Sequence, residues 1–156
     1  MMKKYILRSL MMFMGVMMVI QSCESDDDDE YEKMVSKYNL MESHKMGQNC
    51  MSCHKSGGGG EGWFNLAGTV YDSQTSSTYP NATLKLYNAP NGAGSLVGTI
   101  EVDGLGNFYT TNDIDFGSGL YVSVSGETST KYMVSPVTSG QCNSCHGVST
   151  DRIWTR

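Results

Sequence analysis

Short runs in which apolar and polar residues alternate dominate the chain from Trp63 onward. Examples are "LAGTVYD", "ATLKLYN", "SLVGTIEV", "GNFYTT", "LYVSVSG" and "KYMVSP", and turn sequences such as "APNGAG" and "DGLG" separate them. Alternation of this kind indicates strands with one buried face. Short strands at this spacing are typical of an antiparallel sandwich or a small barrel. We therefore predict a mainly β protein, with a small antiparallel β-sandwich over residues 63–135.

The apolar positions of these runs also predict the core of the sandwich. They are Val70, Leu84, Leu86, Ile100, Val102, Phe108, Tyr109, Val122 and Val124. A domain of this size buries a small fraction of its surface and has marginal stability. We therefore expect a further apolar partner to contribute to the core.

The residues before the sandwich carry weaker signals. Met34, Tyr38 and Met41 follow one another at helical spacing, which predicts a short amphipathic helix within residues 31–49. Residues 56–62, "SGGGGEG", contain adjacent glycines that favour no regular element, so we interpret them as a flexible linker. Little helix is expected elsewhere.

The first 22 residues have the pattern of an export signal. Lys3, Lys4 and Arg8 precede an apolar run from Leu10 to Ile20, which is short for a membrane span. The sequence "VIQSC" resembles a bacterial lipobox, in which Cys23 would be lipidated at the new N-terminus. That resemblance implies a lipoprotein held to the membrane by its acyl chains.

An acidic run follows Cys23. Seven Asp and Glu residues lie between Glu24 and Glu32, and their mutual repulsion predicts a disordered tether over residues 23–33. The run also resembles the surface-export signal of lipoproteins from the Bacteroidetes phylum. Without residues 1–22 the chain keeps 8 basic and 16 acidic side chains, so nucleic acid is not an expected partner.

The predicted strands resemble the carboxypeptidase regulatory-like, transthyretin-like sandwich family. The stretches that carry the resemblance are "LAGTVYD", "YPNATLKLYN" and "VDGLGNFYT". The resemblance implies an accessory domain without catalytic residues. The sequence has no Ser-His-Asp set and no phosphate loop, so we do not expect an enzyme.

Two copies of Cys-x-x-Cys-His carry the candidate chemistry. They comprise Cys50, Cys53 and His54 in the first copy, and Cys142, Cys145 and His146 in the second. This pattern indicates c-type haem attachment, with two thioether bonds and a proximal histidine ligand at each iron. A zinc ribbon would space its cysteine pairs more closely, a thioredoxin-like site needs a βαβ unit, and simple disulfides need no histidine. We therefore predict two haem c groups, one held by residues 34–62 and one by residues 136–156.

The sixth position of each iron is less determined. After His54 and His146 only His44 remains among the histidines, so at least one iron needs another distal ligand. We predict His44 on the first haem and Met133 on the second, with Met46 as the lesser candidate. The two methionines could instead pack on a porphyrin face.

The whole arrangement resembles small exported dihaem c-type cytochromes in which haem motifs bracket a β-sandwich. The flanks "HKMGQNCMSCH" and "KYMVSPVTSGQCNSCH" carry this resemblance. It implies electron transfer with envelope redox proteins, at an outer membrane or the cell surface, with possible self-association. We expect the haems side by side at one end of the sandwich, against Trp63, Tyr132 and Trp154. The alternatives are a gas or peroxide sensor, and an adhesion module with structural haems.

Overall fold

The computed structural model describes residues 33–156, which fold into a two-layer β structure. Its strands are β1 (Leu66–Tyr71), β2 (Thr83–Tyr87), β3 (Leu96–Glu101), β4 (Asn107–Thr110), β5 (Tyr121–Ser125), β6 (Thr130–Tyr132), β7 (Gly140–Gln141) and β8 (Ile153–Trp154). The mainly β fold with little helix is confirmed. The predicted signal peptide, Cys23 and the acidic run lie outside the described residues.

The first sheet is built around β1. Strand β4 pairs with one edge of β1 in antiparallel register, with Ala67 opposite Tyr109. Strands β7 and β8 pair with β1 in parallel. Because β7 and β8 come from the predicted second haem segment, that segment is part of the sheet and not an appendage to it.

The second sheet has the order β3-β2-β5-β6, and every pair in it is antiparallel. Strand β2 lies between β3 and β5, and its residues alternate between half-buried and buried. Leu84 and Leu86 are the buried ones, and they point toward the first sheet. This alternation is the one that the sequence pattern predicted for a strand with one buried face.

The core lies between the two sheets. Its buried members are Leu66, Val70, Ala82, Leu84, Leu86, Ile100, Val102, Phe108, Leu120 and Val124. Every predicted core position is buried except Val122, which is half-buried and packs against the core from its edge. Tyr109 belongs instead to a second apolar cluster, with Phe64 and Ala67, on the outer face of β1.

The predicted helix within residues 31–49 is wrong for the residues that the structure describes. Residues 33–49 are extended, with turns, and run beside β4. The Ser36 amide donates to the carbonyl of Tyr109 at 3.0 Å, and the Thr111 amide donates to that of Met34 at 2.9 Å. The open edge of β4 therefore offers this segment backbone partners, which outweigh its weak helical pattern. Within residues 33–156 no helix is long and apolar enough to cross a bilayer.

Candidate functional site

The two Cys-x-x-Cys-His motifs fold in the same way. Each begins with a short 3-10 helix, Cys50–Ser52 in the first and Cys142–Ser144 in the second. In both motifs the histidine amide donates to the carbonyl of the first cysteine at 3.0 Å. The repetition in the sequence is therefore also a repetition in local structure.

Both motif histidines are oriented by the same kind of hydrogen bond. Nδ1 of His54 lies 2.7 Å from the carbonyl oxygen of Glu61, and Nδ1 of His146 lies 2.7 Å from that of Asp151. A carbonyl oxygen can only accept, so Nδ1 carries the proton in the neutral ring. The lone pair is then on Nε2, the arrangement that metal-ligating histidines commonly have.

His54 lies between an aromatic stack and a second histidine. Its ring stacks on Phe64 with centroids 4.2 Å apart, and Phe64 stacks on Tyr109 at 4.9 Å. The ring of His44 lies 5.9 Å from that of His54. Two imidazoles on opposite sides of one metal ion, each with its nitrogen about 2 Å from the metal, would have centroids about 6 Å apart. Ordinary contacts between aromatic rings span about 4.5–7 Å. The spacing of His44 and His54 therefore fits a shared metal ion as well as a simple ring contact.

A cavity of about 560 Å³ lies beside the first motif. Both thiols of the motif, Cys50 and Cys53, line it together with His44 and His54. Tyr109 contributes an aromatic wall. The volume is within the range of sites for small molecules and cofactors.

The glycine run after the first motif is not the flexible linker that its composition predicted. It folds back on the motif, and the Gly60 amide donates to the Cys53 carbonyl at 3.1 Å. A Cβ on Gly58 would lie 1.9 Å from that carbonyl oxygen, and one on Gly60 would lie 2.8 Å from Nδ1 of His54. Gly58 and Gly60 are therefore needed, because the chain passes too close to Cys53 and His54 at these two positions for a side chain.

The second motif lies in the loop between β7 and β8, which both pair with β1. Residues on either side of the loop are therefore fixed to the same strand. Cys142 packs at the edge of the core, and a Cβ added to Gly68 would lie 2.9 Å from the Cys142 Cβ. The bare backbone of Gly68 makes room for the first cysteine of the motif.

The thiols of each motif differ in their surroundings. Cys53 and Cys145 are exposed, whereas Cys50 and Cys142 are partly buried. Burial raises the pKa of Cys50 and raises that of Cys142 to about 12. The negative charge of Asp103 adds a smaller upward contribution to the pKa of Cys50. Burial raises these pKa values because it disfavours the charged thiolate. A thioether has no charged form, so a cysteine sulfur bonded to a cofactor could be buried without this cost.

The second motif and the residue before it contact the residues that precede the first motif. The side-chain amide of Asn143 donates to the Gln48 carbonyl at 2.9 Å, and that of Asn49 donates to Oε1 of Gln141 at 3.4 Å. The two predicted haem-binding segments therefore lie next to each other, and the expectation of two haems side by side stays a prediction. The two segments meet at β1, whose residues are all buried.

Comparison with protein-family models, with curated proteins and with solved structures gives no match for this chain. The site therefore has to be interpreted from its own geometry.

The methionine candidates lie apart from the first cavity. Met46 is 45% exposed and does not line that cavity. Met133 follows β6, the edge strand of the sheet that does not contain β1, and its amide donates to the Val122 carbonyl at 2.8 Å. A distal role for either methionine stays a prediction.

The aromatic residues expected around the haems are largely at the surface. Trp63 and Tyr132 are 46% and 45% exposed. Trp154 is half-buried in β8, and the Lys131 ammonium lies 4.1 Å from its ring centroid.

The sequence reasoning missed several residues that shape the site. Thr69, Asn107 and Asn143 are buried and hydrogen-bonded to one another or to the motifs. Thr69 and Asn107 could have been identified from the sequence, because they are polar residues within predicted strands. The sequence gives no such indication for Asn143, since the two residues between the cysteines of a Cys-x-x-Cys-His motif vary freely.

Proposed function

We propose that this chain is a dihaem c-type cytochrome that carries electrons at the cell envelope. Cys50 and Cys53 attach one haem, Cys142 and Cys145 attach the other, and His54 and His146 are the proximal ligands. The observation that carries the proposal is the shared geometry of the motifs. In both, a carbonyl 2.7 Å from Nδ1 leaves Nε2 of the histidine available to a metal.

The residues around the first motif support a covalently held, planar cofactor. Two thiols and two imidazoles line one cavity of about 560 Å³. His44 would supply the distal ligand there, because it lines the same cavity and its ring lies 5.9 Å from that of His54. Phe64 holds the His54 ring by stacking on it. When bound, haem supplies a reversible one-electron couple, whose potential depends on the axial ligands.

The contact between the motifs supports electron exchange between the two sites. Asn143 of the second motif donates a hydrogen bond of 2.9 Å to the carbonyl of Gln48, two residues before the first motif. The fold itself would therefore hold the two cofactors close together. Electron exchange between them would not depend on collisions between separate molecules. Different distal ligands at the two sites would give them different potentials.

Haem quantitation of the purified protein tests the proposal. Pyridine haemochrome spectra should give about two haems per chain, one for each motif. A value of zero in protein from a host that attaches haem c overturns it. A value of one restricts the proposal to a single motif, which mass spectrometry of the tryptic peptides identifies.

The proposed location is an outer membrane or cell surface, with lipid on Cys23. Cys23→Ser should move the protein from the membrane fraction to the soluble fraction, because the acyl chains would be lost. An unmodified Cys23 in the native protein, detected by mass spectrometry, would contradict this part of the proposal.

A sensor of gas or peroxide is the second candidate function. It requires that Met133, which follows β6 on the sheet that lacks β1, does not reach the second iron, which would then have an open position. Carbon monoxide separates the two functions. Unchanged visible spectra of the reduced protein support electron transfer, whereas a shift at one haem supports the sensor.

A further inference from the structure

A buried polar network connects the second motif to the segment that carries His44. Its centre is Thr69 of β1, whose side-chain hydroxyl makes three hydrogen bonds. The hydroxyl donates to Oδ1 of Asn107 at 2.7 Å. It accepts from the Gly47 amide at 2.8 Å and from Nδ2 of Asn143 at 3.0 Å. A hydroxyl has one donor and two acceptor sites, so its capacity is filled.

Asn143 contributes the second motif to this network. It lies between Cys142 and Cys145, yet only 4% of its surface is exposed. Its Oδ1 accepts from the Thr69 amide at 3.2 Å, and its Nδ2 also donates to the Gln48 carbonyl at 2.9 Å. Every polar atom of the Asn143 side chain therefore has a partner on β1 or on the first motif's lead-in.

Asn107 extends the network to His44. Its Nδ2 donates to Oγ of Ser43 at 3.0 Å and to the His44 carbonyl at 3.2 Å. The backbone amide of Asn107 donates to Oδ1 of Asp103 at 2.9 Å. The backbone of residues 43–48 is thus held by β1, β4 and the second motif together.

We propose that Thr69, Asn107 and Asn143 are positioning residues that place His44 over the first motif. Through them the second motif determines ligation at the first. This inference rests on the proposed function, because it assigns His44 as the distal ligand. Buried hydrogen bonds of this kind are directional, and an unpaired member is costly, so the network permits one arrangement of the segment.

The test compares Thr69→Val with Thr69→Ser. Valine keeps the shape of threonine and removes the hydroxyl, whereas serine keeps the hydroxyl. Hydrogen exchange of the peptide covering residues 43–48 is measured in the full chain. Thr69→Val removes all three hydrogen bonds of the hydroxyl, including the one from the Gly47 amide. It should accelerate exchange by about tenfold or more, since the loss of one such bond corresponds to about tenfold, and Thr69→Ser should leave exchange near the wild-type rate. Equal rates in the two variants overturn the proposal.

Visible spectra of the haem-loaded protein supply the second measurement. Thr69→Val should reproduce the spectral change caused by His44→Ala, with high-spin bands at one haem, and Thr69→Ser should not. Haem content should stay the same in all three variants. Low-spin spectra in Thr69→Val, together with high-spin bands in His44→Ala, would show that His44 needs no positioning, and overturn the proposal.

Asn143→Ala is the second variant, in case Thr69→Val does not fold. It should give the same faster exchange at residues 43–48, although the change is in the other motif. Wild-type exchange in Asn143→Ala overturns the coupling. A chain that binds no haem refutes the proposed function, and the exchange measurement then still decides whether the network holds the segment.

Discussion

His54 owes its orientation to the bare backbone of Gly60. The ring lies close to this backbone and stacks on Phe64, and its Nδ1 is hydrogen-bonded to the Glu61 carbonyl. An added Cβ would lie within 2.9 Å of three ring atoms. At the residue scale, the orientation of His54, the proposed proximal ligand, therefore depends on a neighbour that has no side chain.

The glycine run offers a matched pair for testing this dependence. Gly60→Ala should destabilise the protein by about 1–3 kcal/mol, as overpacking does, and should perturb the spectrum of one haem. Gly59→Ala should change neither, because a Cβ at Gly59 meets nothing within 4 Å. Thermal unfolding and visible spectra provide the measurements. Equal melting temperatures in the two variants would show that the His54 ring moves aside freely.

The buried thiol of Cys142 makes the stability of the haem-free chain depend on pH. Its pKa is raised to about 12 by burial, from 9.0. Below pH 9 both the folded and the unfolded thiol are neutral, so the full stability is present. As pH rises from about 9 toward 12, only the unfolded thiol ionises. The free energy of unfolding should then fall by up to about 1.4 kcal/mol per pH unit for this one group.

Cys142→Ala isolates this contribution. Urea unfolding at several pH values between 9 and 10 should give a smaller slope for the variant than for the unaltered haem-free chain. The remaining slope includes Cys50, whose pKa is also raised by burial. Parallel slopes in the two proteins would show that the Cys142 thiol is accessible to water in the folded chain.

At the scale of the elements, β1 is the strand that organises the site. Its inner face packs against the core with Leu66 and Val70, and its outer face contacts the first motif through Ala67. Its edges pair with β4 on one side, and with β7 and β8 on the other. Both motifs are therefore positioned by one strand that is buried along its whole length.

Gly68 is the position in β1 at which the second motif packs closely against the strand. A Cβ on Gly68 would lie 2.5 Å from the Phe108 ring and 2.9 Å from the Cys142 Cβ. Gly68→Ala should therefore destabilise the protein by about 1–3 kcal/mol. It should also reduce haem attachment at Cys142. Gly98→Ala in β3 is the control, since its nearest contact is 3.4 Å away. Melting temperatures and mass spectrometry of the second-motif peptide check both effects. Normal attachment in Gly68→Ala would mean that β1 does not position Cys142.

At the scale of the whole molecule, the second motif is part of the sandwich. Its flanking strands are β7 and β8. The hydroxyl of Thr155, which follows β8, accepts a hydrogen bond from the Gly126 amide and donates one to the Ser129 carbonyl, close to the second sheet. A cofactor attached within this loop would therefore contribute to the stability of the sandwich. The expectation that so small a core needs a further apolar partner stays a prediction.

Replacing both Cys142 and Cys145 with serine tests this contribution. The variant should carry about half the haem of the unaltered protein and unfold at a lower temperature, because bound cofactor stabilises the folded state. The matched change at Cys50 and Cys53 is the comparison. Unaltered haem content would mean that the second motif does not attach haem. An unaltered melting temperature would mean that its cofactor does not stabilise the sandwich.

Some features followed from the sequence because they depend on residues close together in the chain. Alternating runs predicted the strands and nearly all of the core, since side chains alternate between the faces of any strand. The spacing of Cys50, Cys53 and His54, repeated at the second motif, singled out both candidate sites. The repeated sequence also folds into a repeated local structure.

Other features were decided only by tertiary structure. The weak helical pattern around Met34 and Met41 gave way to backbone pairing along β4, which no local signal announced. The glycines beside Cys53 and His54 looked flexible because their composition does not show what packs against them. The parallel pairing of β7 and β8 with β1, and the place of Asn143 beside Thr69, join residues far apart in sequence. Such contacts depend on how the whole chain packs, so no short pattern could specify them.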